Sequence, residues 1–207
     1  MKFGVVVFPG SNCDHDMFYN LKTNLKQDVE FLWHKETSLK KCDFIILPGG
    51  FSYGDYLRSG AIAQFSPIME AVIEHAKNGG YVLGICNGFQ ILCECDLLPG
   101  TLLRNINQKF ICKNIFIKSS NSCLLTKKTD SKRILQIPIA HAEGRYYTDQ
   151  KTLKSLISNK QIMFKYCDEN GEINMEFNPN GAAKNIAGIC NKDKNVFGMM
   201  PHPERAC

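Results

Sequence analysis

Short apolar runs rich in β-branched and aromatic residues, at positions 3–8, 29–33, 44–47 and 81–85, alternate with stretches whose apolar residues recur at helical spacing. Parallel strands need long crossover connections, usually helices, so this alternation predicts an α/β fold: an open, mostly parallel sheet with helices on both faces. The first helix is expected near Asp14, whose carboxylate can cap free backbone N–H groups, with Met17, Phe18, Leu21 and Leu25 along one face. A second is expected after Ser59, with Ile62, Phe65, Ile68, Met69, Val72 and Ile73 inward and a stop at Asn78-Gly79-Gly80. From 102 to about 126 the pattern changes to polar/apolar alternation, through Phe110 and Cys112 and, after a shift of phase, Ile115 and Ile117. That alternation predicts antiparallel strands at one edge of the sheet. Further strands are expected at 133–139, 161–166 and 196–200, and a short helix at 152–158. The Asn- and Gly-rich stretch 170–185 reads as a mobile surface loop.

A chain of 207 residues can bury about 70% of its unfolded surface around one core, so a single domain over 1–207 is expected. The net charge of +5 comes from scattered lysines, with no basic cluster interleaved with aromatics, which argues against a nucleic-acid partner. The opening apolar run ends at Pro9-Gly10, too soon for a signal-peptide core or a membrane span. A cytoplasmic protein with no membrane partner is expected. Ten cysteines include no CxxC pair, and the close pair Cys93 and Cys95 lacks a matching second half, so no structural metal is expected and most thiols read as small core residues in a reducing compartment.

One cysteine stands apart. Gly84 and Gly88 flank Cys86 at two residues on either side, directly between a buried strand and a helix. Small residues there allow a tight turn that lifts a nucleophile out of the sheet, and the helix beginning at the cysteine presents N–H groups and a positive dipole end that favour a thiolate. Such a string alone is as readily a buried thiol at a turn. A nucleophile also needs a base, and the base an orienting group. The C-terminal string Met200-Pro201-His202-Pro203-Glu204-Arg205 supplies both types. Its prolines predict a stiff, extended segment in which His202 and Glu204, two residues apart, share a side. The turn Leu47-Pro48-Gly49-Gly50 offers unobstructed N–H groups, and those of Gly50 and Asn87 are the expected oxyanion donors.

The strings Gly84-Ile85-Cys86-Asn87-Gly88-Phe89-Gln90 and Pro201-His202-Pro203-Glu204-Arg205 resemble those of the class I, or triad, glutamine amidotransferases, which have a flavodoxin-like fold. Within them, the strings from Phe8 to Asp14, from Pro48 to Arg58 and from Ala140 to Arg145 resemble the glutaminase subunits of a purine-biosynthetic synthase, and the resemblance spans Met1 to Arg205. It implies that Cys86 is the nucleophile, His202 the base and acid and Glu204 the orienting carboxylate, with L-glutamine as substrate. It further implies that Gln90 faces the glutamine and that the backbone around His141, Glu143 and Gly144 holds its α-amino and carboxylate groups, although His141 and Glu143 read nearly as well as a capped loop after a buried strand. Chains of this family run on past Arg205 into a further helix, whereas this sequence ends at Cys207.

No Gly-x-x-x-x-Gly-Lys-Ser/Thr loop is present, and the Gly-rich stretch 49–54 runs into Asp55, the wrong charge for a phosphate. The chain is therefore expected to carry no cofactor. ATP and magnesium belong by resemblance on a large synthetase subunit, accompanied in many bacteria by a small third subunit, to which ammonia is delivered. The rival readings are a glutaminase subunit of another amidotransferase, a cysteine hydrolase of another ester or amide, and a non-catalytic binding protein of the same fold.

Overall fold

The computed structural model describes residues 1–130 and 133–206; Ser131, Lys132 and Cys207, which the single-domain expectation for 1–207 includes, lie outside the described residues. Its strands are β1 (Lys2–Val7), β2 (Asp28–Trp33), β3 (Phe44–Leu47), β4 (Tyr81–Ile85), β5 (Thr101–Leu103), β6 (Ile111–Ser119), β7 (Ile134–His141), β8 (Arg145–Tyr147), β9 (Ile162–Cys167), β10 (Ile186–Cys190) and β11 (Val196–Met199). The helices are α1 (Asp14–Tyr19), α2 (Pro67–Lys77), α3 (Asn87–Glu94) and α4 (Gln150–Ser158).

A nine-stranded sheet runs in the order β2-β1-β3-β4-β11-β10-β9-β6-β7, and β5 pairs with β8 in a separate ribbon. The pairings from β2 across to β11 are parallel. Those from β11 to β7 are antiparallel, so the antiparallel region extends well beyond an edge. Strands β3, β4 and β11 are almost wholly buried, as parallel strands covered on both faces must be. Gly84 faces Gly88 and Leu92 of α3, whereas its neighbour Leu83 shares an apolar groove with Met17 and Leu21 beside α1. Successive strand residues point to opposite faces, so α3 and α1 cover the two sides of the sheet.

Several local expectations need correction. Asp14 is the first helical residue rather than the cap: its buried carboxylate accepts from the Ser11 hydroxyl and from the His15 N–H. Met17 and Leu21 are buried, but Leu25 is 60% exposed, because the helix widens into a π-turn over Asn20–Asn24 and the face rotates away from the core. The second helix starts at Pro67, not after Ser59. Proline is preorganised for the first helical position and keeps Ser66 extended, which leaves Phe65 79% exposed while Ile68, Met69 and Val72 are buried. On β6, Ile115 and Ile117 face the core, whereas Cys112, and Phe110 just before the strand, are exposed. The stretch 170–185 is not simply a surface loop. Asn180 and Asn185 are buried within it, donating to the carbonyls of Gly144 and Asn174. Among the described residues, no helix is long and apolar enough to cross a membrane.

Candidate active site

The loops that follow β3, β4 and β11 meet at the carboxyl ends of parallel strands, where ligand crevices of open α/β sheets form. Cys86 leaves β4 with φ +48° and ψ −104°. A side-chain-bearing residue held there costs about 1–3 kcal/mol, so the surroundings must impose it. They do so from both ends: the Cys86 N–H donates to the Met199 carbonyl at 2.8 Å, and the Gln90 N–H donates to the Cys86 carbonyl at 3.1 Å. The flanking glycines are sterically required. A Cβ on Gly88 would stand 1.9 Å from the Leu47 carbonyl oxygen, and one on Gly84 would stand 2.5 Å from the Gly88 backbone. The Cys86 thiol points toward the Ala140 carbonyl at 3.7 Å.

His202 is brought alongside by the chain leaving β11, and its N–H donates to the carbonyl of Pro138 in β7 at 2.9 Å. The segment is not extended as expected. Pro203 opens a 3-10 turn over Pro203–Arg205, closed by the Arg205 N–H on the His202 carbonyl, and His202 meets Glu204 across that turn. The distance from Nδ1 to Glu204 Oε1 is 2.6 Å, with both side chains almost completely buried. Burial alone would lower the imidazole pKa. The Cys13 and Cys86 thiols and the Glu204 carboxylate, all against the ring, outweigh it and hold the pKa well above its ordinary value. Among the described residues His202 Nε2 and Glu204 Oε2 make no directed hydrogen bond. The Asn87 N–H stands at the first position of α3, where no intrahelical acceptor precedes it, and Gly50, at φ +134°, lines the same cleft as Cys86.

That cleft encloses ≈170 Å³, below the usual range for drug-sized ligands and suited to an amino acid. Gln90, His141 and Glu143 line it. Gln90 is already committed, however: its Oε1 accepts from Asn87 Nδ2 at 3.0 Å and its Nε2 donates to the Glu143 carbonyl at 2.7 Å. The His141 ring is fixed by Asn105 Oδ1 at 3.1 Å from Nδ1. Burial, with His202 nearby, drives its pKa down to about 4, which makes it a neutral imidazole. Gly144 sits behind the wall rather than in it, with its N–H on Asn105 Oδ1 and its carbonyl taken by Asn180. Its lack of a side chain is what admits the His141 ring, since a Cβ there would stand 2.3 Å from ring atoms.

The sequence reading missed Arg104, Asp55 and Ser59, which also line the cleft. Arg104 follows the short strand β5 with no motif around it, so nothing in the sequence marks it. Asp55 is half-buried, its pKa raised to about 6 by burial, lowered by a hydrogen bond with Ser59 and raised again by the charge of Glu143. Tyr53 turns inward so that its hydroxyl meets His34 Nδ1 at 2.7 Å and Ser66 Oγ at 2.8 Å.

Comparison with known proteins agrees with this geometry. The family model described as a CobB/CobQ-like glutamine amidotransferase domain matches residues 1–207. The phosphoribosylformylglycinamidine synthase subunit PurQ of Aquifex aeolicus is 54% identical over 207 residues, covering 100% of this chain and 91% of that protein. The PurQ subunit of Moorella thermoacetica is 56% identical over 206 residues, covering 99% of this chain and 87% of its own. The solved structure of PurLQS from Thermotoga maritima superposes with a TM-score of 0.86 at 39% identity, over 99% of this chain and 88% of that one. The chain thus belongs to the CobB/CobQ-like glutamine amidotransferase family, in the branch of the glutaminase subunits of phosphoribosylformylglycinamidine synthase.

Proposed function

We propose that Cys86, His202 and Glu204 hydrolyse L-glutamine to glutamate and ammonia through a thioester, and that the ammonia passes to a synthetase subunit, which uses ATP and magnesium to convert formylglycinamide ribonucleotide to formylglycinamidine ribonucleotide. The observation that carries the reading is the buried His202–Glu204 pair set against a thiol at a strained elbow, on the wall of an amino-acid-sized cleft. The Cys86 sulfur attacks the side-chain amide carbonyl of glutamine, and the oxygen takes up negative charge where the Gly50 and Asn87 N–H groups can receive it. Imidazolium at His202 gives its proton to the departing nitrogen, so ammonia leaves and the acyl group stays on sulfur. The neutral imidazole then removes a proton from water, which attacks the thioester; glutamate is released and the thiolate is regenerated. Glu204 fixes the ring's orientation and stabilises its charged form.

On charge and their presence on the cleft wall, Arg104 is assigned the α-carboxylate of glutamine, and Glu143 and Asp55 its α-ammonium group. Ammonia entering water at neutral pH would be protonated and lose its nucleophilicity, so a sheltered route to the partner is required. The partners under this reading are the large synthetase subunit and a small third subunit, in the cytoplasm, with the chain acting as a single domain. The test is the Cys86→Ala variant assembled with a purified synthetase subunit. Glutamine-driven product formation should vanish while formation from added ammonium salt survives; loss of both would assign the cysteine a structural role only.

A further inference from the structure

We propose that Cys13, His202 and Glu204 form a binding site for a thiophilic divalent cation of the zinc and cadmium class, and that filling it stops glutamine hydrolysis. Cys13 follows the loop after β1 and takes no part in the thioester chemistry. Its thiol nevertheless lies against the catalytic imidazole. One ligand atom from each of Cys13, His202 and Glu204 falls within 4.8 Å of the others, and all three residues are buried. Gly49 packs against two of them: a Cβ there would stand 2.6 Å from His202 Cε1 and 3.2 Å from Cys13 Sγ.

A second observation points to a ligand. Glu204 uses Oε1 on His202, but its Oε2 is buried and has no hydrogen-bond partner among the described residues. A buried carboxylate oxygen left unpaired is costly, and a cation at that position relieves the cost. Thiolate, imidazole and carboxylate are the donor types of a three-ligand zinc site with one open position, and the sulfur selects zinc or cadmium over magnesium or calcium. On binding, the Cys13 thiol releases its proton to solvent, any proton on the ligating imidazole nitrogen or carboxyl oxygen is released as well, and no electrons move. The cation thereby takes both the base and its orienting group out of service. This last consequence rests on the role proposed for His202, whereas the binding itself does not.

The two are tested separately. Cadmium, whose thiolate complexes absorb in the ultraviolet, is titrated into full-length Cys86→Ser protein, so that the nucleophile contributes no signal, and into the Cys86→Ser/Cys13→Ala and Cys86→Ser/Cys13→Ser pairs. One cation should bind to the Cys86→Ser protein, displaced by zinc and not by magnesium, and loss of the Cys13 thiol should weaken it by about tenfold or more. Equal affinity with and without that thiol, in whichever Cys13 variant melts as the parent does, overturns the site. With Cys86 present, zinc should inhibit glutamine hydrolysis by the assembled complex, EDTA should restore it, and Cys13→Ala should need about tenfold more zinc for the same inhibition. Cation binding through Cys13 with hydrolysis unchanged overturns the inhibition and counts against His202 as the base.

Discussion

The two walls of the cleft are built by different physics. Gly50 and Cys86, with His202 beside the Cys86 thiol, come from the ends of parallel strands, and backbone hydrogen bonds and steric closeness fix them: the Cys86 N–H on Met199, and Gly88 packed on the Leu47 carbonyl. The opposite wall, Arg104 and residues 140–143, comes from β5 and the end of β7, and buried asparagine side chains secure it. Asn105 alone donates to the carbonyls of His141 and Lys109 and accepts from the Gly144 N–H. Backbone sterics tolerate no variation, whereas each asparagine bond contributes about 1 kcal/mol net and can be exchanged. The reacting wall is therefore rigid in kind, and the holding wall is adjustable.

If this division is right, substitutions on the two walls should separate kinetically. His202→Ala should lower kcat for glutamine-driven synthesis by about a thousandfold or more with little change in KM, and Glu204→Ala should retain more activity than His202→Ala because in the proposed mechanism it only orients the base. A His202 variant as active as wild type would remove the triad from consideration. Arg104→Ala, across the cleft, should act mainly on KM, raising it about tenfold, the magnitude expected for losing one charge-assisted hydrogen bond to a carboxylate at the rim. A pure kcat effect at Arg104 with an unchanged KM would erase the distinction between the walls.

The reacting wall was legible in the sequence because its signals are local. Two glycines around a cysteine, a Gly-Gly turn after a strand and a His-Pro-Glu string each carry their own steric or chemical reason, and the parallel half of the sheet follows from apolar runs spaced by helices. The holding wall was not legible. Asn105 and Asn180 are ordinary polar residues in loop-like stretches, and only the fold shows that both are fully buried and tie 141–144 in place. Strand β10 was missed for the same reason, since its apolar run Ile186–Cys190 follows directly on a segment whose composition reads as loop. Arg104 meets Gly50 and Cys86 across the cleft only through the fold, and no periodicity reports such a meeting.

The holding wall also carries a pH signature that the reacting wall does not share. His141 has a pKa of about 4 in the folded chain against 6.5 when unfolded, because burial and the nearby His202 disfavour its charged form. Between those values the unfolded chain binds a proton that the folded chain does not, so stability rises with pH through the window and is lost as pH falls from 6.5 toward 4. The loss attributable to this residue is roughly 3 kcal/mol, and below the lower value it stops growing. Asp55 works in the opposite sense: its raised pKa of about 6 means that the folded state keeps a proton the unfolded state releases. Denaturant midpoints of wild type and His141→Gln at several pH values isolate the histidine, since Asp55 is common to both. The difference between the two proteins should change steeply between pH 6.5 and 4, and a constant difference would mean that His141 does not titrate as its burial requires.

The smallest effect belongs at the rim between the walls. Arg58 forms a two-pronged ion pair with Glu94 at the end of α3, the helix that begins beside Cys86. Its side chain is 64% exposed, so the pair should contribute under about 1 kcal/mol and Arg58→Ala should barely move the melting temperature. Its kinetic role is a separate question. Residues 50–59 are tied to α3 a second time, through the Ser52 N–H on Asn87 Oδ1 and through Asn87 Nδ2 on Asp55, while Tyr56 and Leu57 stand 70% and 81% exposed, types suited to a partner surface. Pressure from a partner on that strip would be transmitted to the Gly50 and Asn87 N–H groups, the proposed oxyanion donors, and losing one such donor costs about a hundredfold or more in rate. Glutamine hydrolysis measured with and without the synthetase subunit, for wild type and Arg58→Ala, distinguishes the cases. The free chain should be slow, the partner should raise its rate, and the variant should fold normally yet respond less. An Arg58 variant stimulated as fully as wild type would reduce the ion pair to a solvated surface contact and leave the hydrogen bonds of Asn87 as the connection between rim and elbow.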